Sequence, residues 1–261
     1  MLSCKMPTGY ILYGPPGNGK TLIARAIACE ANAKFISVSG SECMQKYAGH
    51  SAHYIKDLFA KARENAPCIV FIDEIDAVCT KRSNSGRSDE EHNRIVNQFL
   101  CELDGFNPIE GVTVIAATNR LESLDEAVIR SGRLSKHIEI LLPDKSLREK
   151  ILGLYTKKVP MAPDVNLAEL AEETNGFSGA DLENLVNEAK LHAVDQICEE
   201  ESEDEELKVT VTIDDFNNVL KRLKSKKIEV GNENKKVSSL IEGWGNILNF
   251  RELKKYCGLA K

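Results

Sequence analysis

The sequence of 261 residues lacks the long apolar segments of a membrane protein or a secreted precursor. Its longest uninterrupted apolar run, Cys68 to Ile72, is far shorter than the roughly 20 residues that a membrane-spanning helix needs. The first residues contain no apolar core of a signal peptide. Eight cysteines are present without any Cys-x-x-Cys pair, which excludes a disulfide scaffold and a cysteine-built zinc site. We therefore expect a cytoplasmic chain with reduced thiols and no membrane segment.

The sequence also lacks the excess of basic residues that is typical of a nucleic-acid-binding surface. Its formal net charge is -6. An acidic run at 199–206, which we expect to form a solvated loop, is offset by a basic segment at 221–261. The remainder is mildly acidic, so charge predicts no nucleic-acid partner.

Short strand-like runs alternate with helical patterns in the first part of the chain. Runs rich in β-branched and aromatic residues predict strands over 10–13, 35–38, 68–72, 112–116 and 138–141. Apolar residues at helical spacing predict helices over 21–31, 51–65, 147–155, 167–173, 179–198 and 213–223. The alternation indicates an α/β fold with a parallel sheet that helices cover on both faces. The strand signals end at Pro143, so we expect an α/β core over 1–143, a smaller helical domain over 144–225 and a polar basic tail over 226–261.

A glycine-rich loop follows the first predicted strand and opens a helix. It fits the pattern G-x-x-x-x-G-K-[ST] in the structural context that this pattern requires. Glycines let backbone N–H groups turn towards phosphate oxygens, the lysine adds positive charge, and the Thr21 hydroxyl is a hard ligand for Mg²⁺. A glycine–proline turn that only happens to precede a lysine is the alternative. The predicted nucleotide-binding residues here are Gly14, Pro15, Pro16, Gly17, Asn18, Gly19, Lys20, Thr21 and Leu22.

Polar side chains follow two further predicted strands. Asp73 and Glu74 end the apolar run at 68–72, and Asn119 follows the run at 112–116. Ligands of open α/β sheets bind beyond the carboxyl ends of the strands, so both acids should face the glycine-rich loop. Because adjacent strand residues point in opposite directions, Asp73 is predicted to hold Mg²⁺ and Glu74 to act as general base. Asn119 offers a donor and an acceptor for orienting water or sensing a γ-phosphate.

Taken with further segments, these motifs resemble the AAA family of AAA+ ATPases. The added segments are Leu103–Phe106, Ile115–Arg120, Arg130–Arg133 and Gly176–Ala189, and the last of them is most similar to the ATPase module of FtsH-type AAA proteases. The resemblance implies a P-loop fold with a five-stranded sheet of order 5-1-4-3-2 and a helical lid. It also implies Mg²⁺-dependent ATP hydrolysis by a homo-hexameric ring that unfolds, threads or remodels protein substrates.

The resemblance assigns roles to individual residues. Asn119 would be a sensor, and Arg130 and Arg133 would be arginine fingers that join Lys20 and Glu74 as catalytic residues. An aromatic pore loop would be formed around Tyr47, for which a tyrosine packed on its own loop is the alternative. Intersubunit signalling is assigned to Asp104, Gly105 and Phe106. The adenine and ribose pocket is assigned to Ile151, Tyr155, Gly179 and Ala180.

Two features depart from the family pattern. The chain begins a few residues before its first strand, so we expect the core to be N-terminally incomplete. No His-Glu-x-x-His helix signature is present, and we expect no protease active site in this chain. The missing front segment favours an alternative function, an ATP-binding assembly or regulatory subunit with little turnover. A DNA or RNA motor is disfavoured by the acidic core.

Overall fold

A computed structural model of the chain describes residues 9–45, 51–80, 88–104, 111–199 and 209–225. The described residues form two compact units. The first comprises those up to Asp144 together with Gly176–Asp181, and the second comprises Lys145–Asn175 and those from Leu182 onward. None of the helices within these ranges is long and apolar enough to cross a membrane.

The first unit contains a parallel sheet of five strands. They are β1 (Gly9–Tyr13), β2 (Lys34–Ser39), β3 (Cys68–Asp73), β4 (Val112–Thr118) and β5 (Lys136–Glu139). All pairs are parallel, and the order across the sheet is β2-β3-β4-β1-β5, which confirms the predicted fold class and strand order. The carboxyl ends of β1, β3 and β4 therefore lie side by side at one edge of the sheet, where Gly14, Glu74 and Asn119 begin the loops that follow.

Helices connect these strands and form the second unit. They are α1 (Lys20–Glu30), α2 (Gly40–Gln45), α3 (Ser51–Glu64), α4 (Ser88–Asp104), α5 (Glu126–Ile129), α6 (Lys145–Thr156), α7 (Leu167–Glu173), α8 (Gly179–Glu199) and α9 (213–225). The bounds of α1, α3 and α6–α9 lie within two residues of the predicted ones. The sequence prediction missed α2, α4 and α5. The signal for α4 was present, since buried apolar side chains recur at helical spacing at Ile95, Val96, Phe99, Leu100 and Leu103.

The central strands of the sheet in the first unit are buried on both faces. Alternate residues of β3 point to opposite sides, so Val70 and Ile72 pack in one apolar cluster and Ile69 and Phe71 in another. The first cluster contains side chains of α3 and α4, and the rings of Phe59 and Phe99 lie 6.0 Å apart there. The second contains Ala24 and Ala28 of α1. Because both faces of the central strands are buried, their sequences are continuous apolar runs rather than alternating polar and apolar residues.

The fifth strand lies two residues earlier than predicted. β5 spans Lys136–Glu139, whereas the apolar pattern favoured 138–141. β5 is an edge strand whose four residues are all exposed, so no apolar face fixes its position. Its register follows instead from pairing with β1, in which Tyr10 is opposite Lys136 and Tyr13 is opposite Glu139.

The second unit is helical, and its buried polar groups are paired. Arg148 of α6 is only 5% exposed, and its guanidinium donates from Nε and Nη2 to the carbonyl oxygen of Ala171 at 2.9 and 2.7 Å. This contact joins α6 to α7 and provides a cation for the C-terminal end of α7. The first residues of α9 are held by Asp215, which is 1% exposed and accepts from the backbone N–H and the hydroxyl of Thr212, both at 2.8 Å. His192 Nδ1 of α8 donates to the same carboxylate at 2.7 Å.

The buried Asp215 carboxylate should stabilise the fold above acidic pH. Burial raises the pKa of Asp215, but the hydrogen bonds from Thr212 and His192 outweigh it and hold the pKa below its ordinary value. A charge-assisted hydrogen bond contributes about 2 kcal/mol, so Asp215→Asn should lower the free energy of unfolding by about that amount at pH 7. Because the native pKa is depressed, the stabilisation is complete above the unfolded-state pKa of about 3.9 and disappears as the pH falls through the native pKa.

Urea unfolding of the parent and of Asp215→Asn between pH 7 and pH 3 checks this prediction. The difference in unfolding free energy should shrink towards the acidic end. Asp214→Asn, at the exposed neighbouring position, is the control and should change stability by less than about 0.5 kcal/mol. Equal stability of parent and Asp215→Asn at pH 7 would contradict the assignment.

Candidate functional site

The loop between β1 and α1 depends on its glycines. Gly14, Gly17 and Gly19 have φ angles of 137°, 76° and 75°, in the region that side chains disfavour. A β-carbon at position 14 would overlap the carbonyl oxygen of Ile140. A β-carbon at position 17 would lie 2.9 Å from the side chain of Ala180, whose N–H donates to the Gly17 carbonyl at 3.0 Å. Both the conformation of the loop and the space around it therefore require glycine.

Lys20, the first residue of α1, folds back over this loop. Its side chain is 8% exposed. The ammonium Nζ donates to the carbonyl oxygens of Gly14 and Pro15, each at 2.9 Å, and to Oδ1 of Asn119 at 2.8 Å. Burial lowers the pKa of Lys20, and the nearby carboxylates of Asp73 and Asp76 partly oppose that shift. The structure thus brings together the lysine and the asparagine, which are 99 positions apart in the sequence.

A hydroxyl and a carboxylate meet at the start of α1. Thr21 Oγ1 donates to Oδ2 of Asp73 at 2.8 Å, and the backbone N–H of Glu74 donates to Oδ1 of the same carboxylate at 3.0 Å. Two hard oxygen ligands are therefore adjacent, as Mg²⁺ coordination requires. Within the described ranges no three His, Cys, Asp or Glu side chains form a metal-binding group. The residues that could hold a magnesium ion here are Thr21 and Asp73, with water and phosphate oxygens as the other ligands.

Glu74 is directed by a turn rather than by strand alternation. β3 ends at Asp73, and Glu74 follows it with a left-handed φ of 50°. The next residues form a 3₁₀ turn, Ile75–Ala77, in which the N–H of Ala77 donates to the carbonyl oxygen of Glu74 at 2.9 Å. The sequence analysis expected Asp73 and Glu74 to point in opposite directions because neighbouring residues of a strand do so. That reason was wrong, because Glu74 lies beyond the end of β3 and its direction is set by the turn. Its side chain is exposed.

The surroundings of the loop fit a bound polyphosphate. The amide nitrogen and oxygen of the Asn18 side chain are buried, and neither has a hydrogen-bond partner. The left-handed glycines give the loop the conformation in which backbone N–H groups can turn towards an anion, and Lys20 provides the positive charge. An unpaired buried donor is costly, so a phosphate oxygen that accepts from the Asn18 amide nitrogen is favoured, whereas the amide oxygen needs a donor such as water. The donor set therefore suits a nucleotide phosphate with magnesium.

The predicted residues of the adenine and ribose pocket lie in both units. Gly179 and Ala180 begin α8 and belong to the first unit, close to Gly17. The turn before them is fixed because the N–H and hydroxyl of Ser178 donate to Asp181 Oδ2 at 2.8 and 2.9 Å.

Ile151 and Tyr155 lie on α6 in the second unit. The hydroxyl of Tyr155 donates to Glu183 at 3.2 Å, and burial together with Glu183 raises the pKa of Tyr155. The exposed Leu22 lies on α1 of the first unit.

The two candidate arginine fingers differ in their surroundings. Arg133 donates from Nε and Nη2 to the two carboxylate oxygens of Asp104, both at 2.6 Å, and from Nη1 to the carbonyl oxygen of Ala127. The hydrogen bonds from Arg133 lower the pKa of Asp104. Arg130 is exposed, three residues earlier. Asp104, predicted to act between subunits, therefore contacts a candidate finger of its own chain here.

Some predicted residues lie outside the described ranges. The pore-loop Tyr47 and the signalling residues Gly105 and Phe106 are among them, and their roles stay predictions.

Two residues near the site received no role from the sequence. Asp76 lies two positions after Glu74, and Thr118 ends β4 just before Asn119. The Thr118 hydroxyl donates to Oδ1 of Asp76 at 2.7 Å. The sequence signal was weak, because it consisted only of a second acid after the acidic pair and a hydroxyl before the asparagine.

Comparison with known proteins gives a consistent picture. Residues 10–142 match the model of the ATPase family associated with various cellular activities, AAA, and residues 164–209 match the AAA+ lid domain. The chain is 51% identical over 193 residues to the ATP-dependent zinc metalloprotease FtsH 1 of Thermoanaerobacter sp., covering 74% of this chain and 32% of that protein.

Two further relatives carry other names. The cell division cycle protein 48 homolog of Archaeoglobus fulgidus is 47% identical over 229 residues, 85% of this chain and 31% of that protein. The proteasome-activating nucleotidase of Aeropyrum pernix is 52% identical over 189 residues, 72% of this chain and 46% of that protein. The chain thus spans less than half the length of each of these relatives.

Replacing Gly14 by alanine should unfold the loop at its base. The added β-carbon meets the Ile140 backbone and also strains a φ of 137°, so we expect a loss of about 3 kcal/mol in unfolding free energy. Gly132→Ala is a matched control, since Gly132 has a φ of 93° but nothing within 4 Å of its β-carbon position. It should cost only about 1 kcal/mol from strain. Urea unfolding measures both, and equal losses would show that the overlap is unimportant.

Proposed function

Because the chain belongs to the AAA family of ATPases, we propose that it hydrolyses ATP with Mg²⁺ and uses the energy to unfold, thread or remodel protein substrates. The observation that carries this proposal is the convergence of Lys20, Thr21, Asp73 and Asn119 at the glycine-rich loop, with Glu74 beside them. Three strands that are separate in the sequence supply these groups to one edge of the sheet.

The loop residues are proposed to hold the phosphates. The backbone N–H groups of Gly17, Asn18 and Gly19 and those at the N-terminal end of α1 would donate to the phosphate oxygens, whereas Pro15 and Pro16 have no N–H. Lys20 would exchange the carbonyl oxygens of Gly14 and Pro15 for β- and γ-phosphate oxygens, while Thr21 and Asp73 would hold the ion directly or through water. When bound, magnesium neutralises phosphate charge and fixes the geometry of the triphosphate.

Glu74 is the proposed general base. Its carboxylate is exposed at the loop edge of the sheet, so it has access to the water that attacks the γ-phosphate. The hydrogen bond from its N–H to Asp73 fixes the start of its turn relative to the magnesium ligands. Asn119, held by Lys20, is placed to orient the same water or to contact the γ-phosphate.

Arg130 and Arg133 are proposed to act across subunits of a homo-hexameric ring. An arginine supplied in trans stabilises transition-state charge and contributes about 10³–10⁵ to the rate. Arg130 is exposed and ready for such contact, whereas Arg133 must first exchange Asp104 for phosphate. Asp104, with Gly105 and Phe106, would then report the state of one site to the next.

The protein substrate is proposed to pass Tyr47 in a central pore. An aromatic ring there gives apolar contact area that does not depend on the sequence of the substrate. The names of the relatives, a metalloprotease and a proteasome-activating nucleotidase, support a substrate that is itself a protein. The division into an ATPase core over 1–143, a lid over 144–225 and a tail over 226–261, and a cytoplasmic location, belong to the same proposal.

Replacing Glu74 by glutamine should abolish turnover and leave nucleotide binding intact. The amide cannot accept the proton of the attacking water, whereas the phosphate contacts of the loop do not involve this side chain. We expect the rate of phosphate release to fall at least about 10²-fold, with ATP affinity unchanged within about threefold. Glu122→Gln, at an exposed position after β4, is the control that should hydrolyse ATP as the parent does.

The parent protein's own rate separates this function from its alternative. Hydrolysis that rises steeply with protein concentration indicates an assembling enzyme. Tight ATP binding with a flat, low rate indicates the assembly or regulatory subunit instead. Hydrolysis by Glu74→Gln at the parent rate would refute the assigned base.

Mixing two inactive variants should restore hydrolysis if Arg130 acts in trans. Arg130→Ala retains Glu74, and Glu74→Gln retains Arg130, so a mixed ring contains interfaces with both groups intact. We expect Arg130→Ala alone to be at least about 10³-fold slower than the parent, Glu74→Gln alone at least about 10²-fold slower, and the mixture to recover a measurable part of the parent rate. Mixing Glu74→Gln with the Arg130→Ala/Glu74→Gln double variant is the control. Full activity of Arg130→Ala alone would refute the finger assignment.

A further inference from the structure

The hydroxyl of Thr118 connects two turns at the edge of the sheet. Thr118 is 1% exposed at the end of β4. Its Oγ1 lies 2.7 Å from Asp76 Oδ1 and 3.0 Å from the backbone nitrogen of Arg120. The backbone N–H can only donate, so the oxygen of the hydroxyl accepts from Arg120 and its single proton goes to Asp76. Both roles of the hydroxyl are therefore occupied, and the direction of each bond is fixed.

The bond from Arg120 shapes the turn that carries Asn119. Asn119 lies between Thr118, whose hydroxyl accepts this hydrogen bond, and Arg120, whose backbone N–H donates it. Its side-chain oxygen accepts from Lys20 Nζ at 2.8 Å. The position of this amide thus depends on the conformation of 118–120, which the Thr118 hydroxyl holds closed.

The bond to Asp76 reaches the turn that carries Glu74. Asp76 is the central residue of the 3₁₀ turn Ile75–Ala77. This turn is closed by a hydrogen bond of 2.9 Å from the Ala77 N–H to the Glu74 carbonyl oxygen. Gly40 packs against this turn, and a β-carbon there would overlap the Glu74 carbonyl oxygen. The Glu74 turn is therefore fixed by neighbours on two sides, by Gly40 and by the Asp76–Thr118 bond.

We propose that Asp76 is a positioning residue for ATP hydrolysis, acting through the Thr118 hydroxyl to hold Asn119 in register with the Glu74 turn. The inference rests on the proposed function and adds to it a residue to which neither the sequence motifs nor the family pattern gave a role. Asp76 touches neither phosphate nor water in this scheme. Its contribution is the relative placement of an acid and an amide that must meet the same γ-phosphate.

The role depends on hydrogen-bond geometry, and it therefore predicts a distinctive pattern among variants. Asp76→Ala and Thr118→Val each break the bond, so kcat should fall about 10–100-fold, as expected when catalytic groups shift by about 1 Å. KM and ATP affinity should change less than about threefold, because the loop that binds the phosphates is untouched. Asp76→Asn keeps an acceptor oxygen and Thr118→Ser keeps the hydroxyl, so both should recover most of the parent kcat.

Steady-state ATP hydrolysis and nucleotide binding by these four variants test the proposal, with urea unfolding to normalise kcat to folded protein. The Asp76→Ala/Thr118→Val double variant should be no slower than Thr118→Val alone, because Thr118→Val already removes the bond that Asp76→Ala breaks, together with the bond from Arg120. Thr113→Val, on the same strand β4, is the control and should keep the parent kcat.

The outcomes separate this inference from the proposed function. Three outcomes would each overturn the inference while ATP hydrolysis by the parent stands. They are an Asp76→Ala variant with the parent kcat, additive losses of kcat in the double variant, and an Asp76→Asn variant as slow as Asp76→Ala. A parent that binds ATP without hydrolysing it would overturn both.

Discussion

The buried ammonium of Lys20 is the group on which the candidate site depends. A charge that is almost fully removed from water must have its donors paired, and an ammonium has three of them. Here two go to carbonyl oxygens of the glycine-rich loop and the third to Asn119. One side chain therefore contacts both the carbonyl groups of the loop and the amide that follows β4. A phosphate that enters the loop has to replace carbonyl acceptors with stronger, charged ones, so binding exchanges hydrogen bonds without leaving the ammonium unpaired.

The sequence predicted those parts of the fold whose signal is local. The apolar runs that form β1–β4, the glycine-rich loop and the two acids at the end of β3 were all predictable, because burial on both faces of a sheet and tight turns restrict the residue type at each position. β5 was displaced by two residues because an exposed edge strand carries no such constraint. Pairs between distant segments were not predictable. Asp76 and Thr118 are 42 positions apart and Asp104 and Arg133 are 29 apart, and only the folded topology brings each pair together.

The relatives show that one ATPase core serves proteins with different names. A metalloprotease, a cell division cycle protein homolog and a proteasome-activating nucleotidase share about half of their residues with this chain over the matched region, which is less than half of each protein. The model of the AAA ATPase family matches residues 10–142, which contain the glycine-rich loop, both acids and both arginines of this chain. More than half of each relative lies outside the matched region, and a shared core does not by itself determine what a protein does.

The contact between Arg133 and Asp104 has a consequence for the energetics of partner exchange. Its geometry is bidentate, yet the Asp104 side chain is 55% exposed, so dissolved ions reach the pair. At an ionic strength of about 0.15 M, charges are screened over roughly 8 Å, so salt weakens the part of this attraction that is open to solvent. The two parallel hydrogen bonds nevertheless fix the direction of the guanidinium. Electrolyte concentration is therefore a variable that tunes the strength of this contact without any change of sequence.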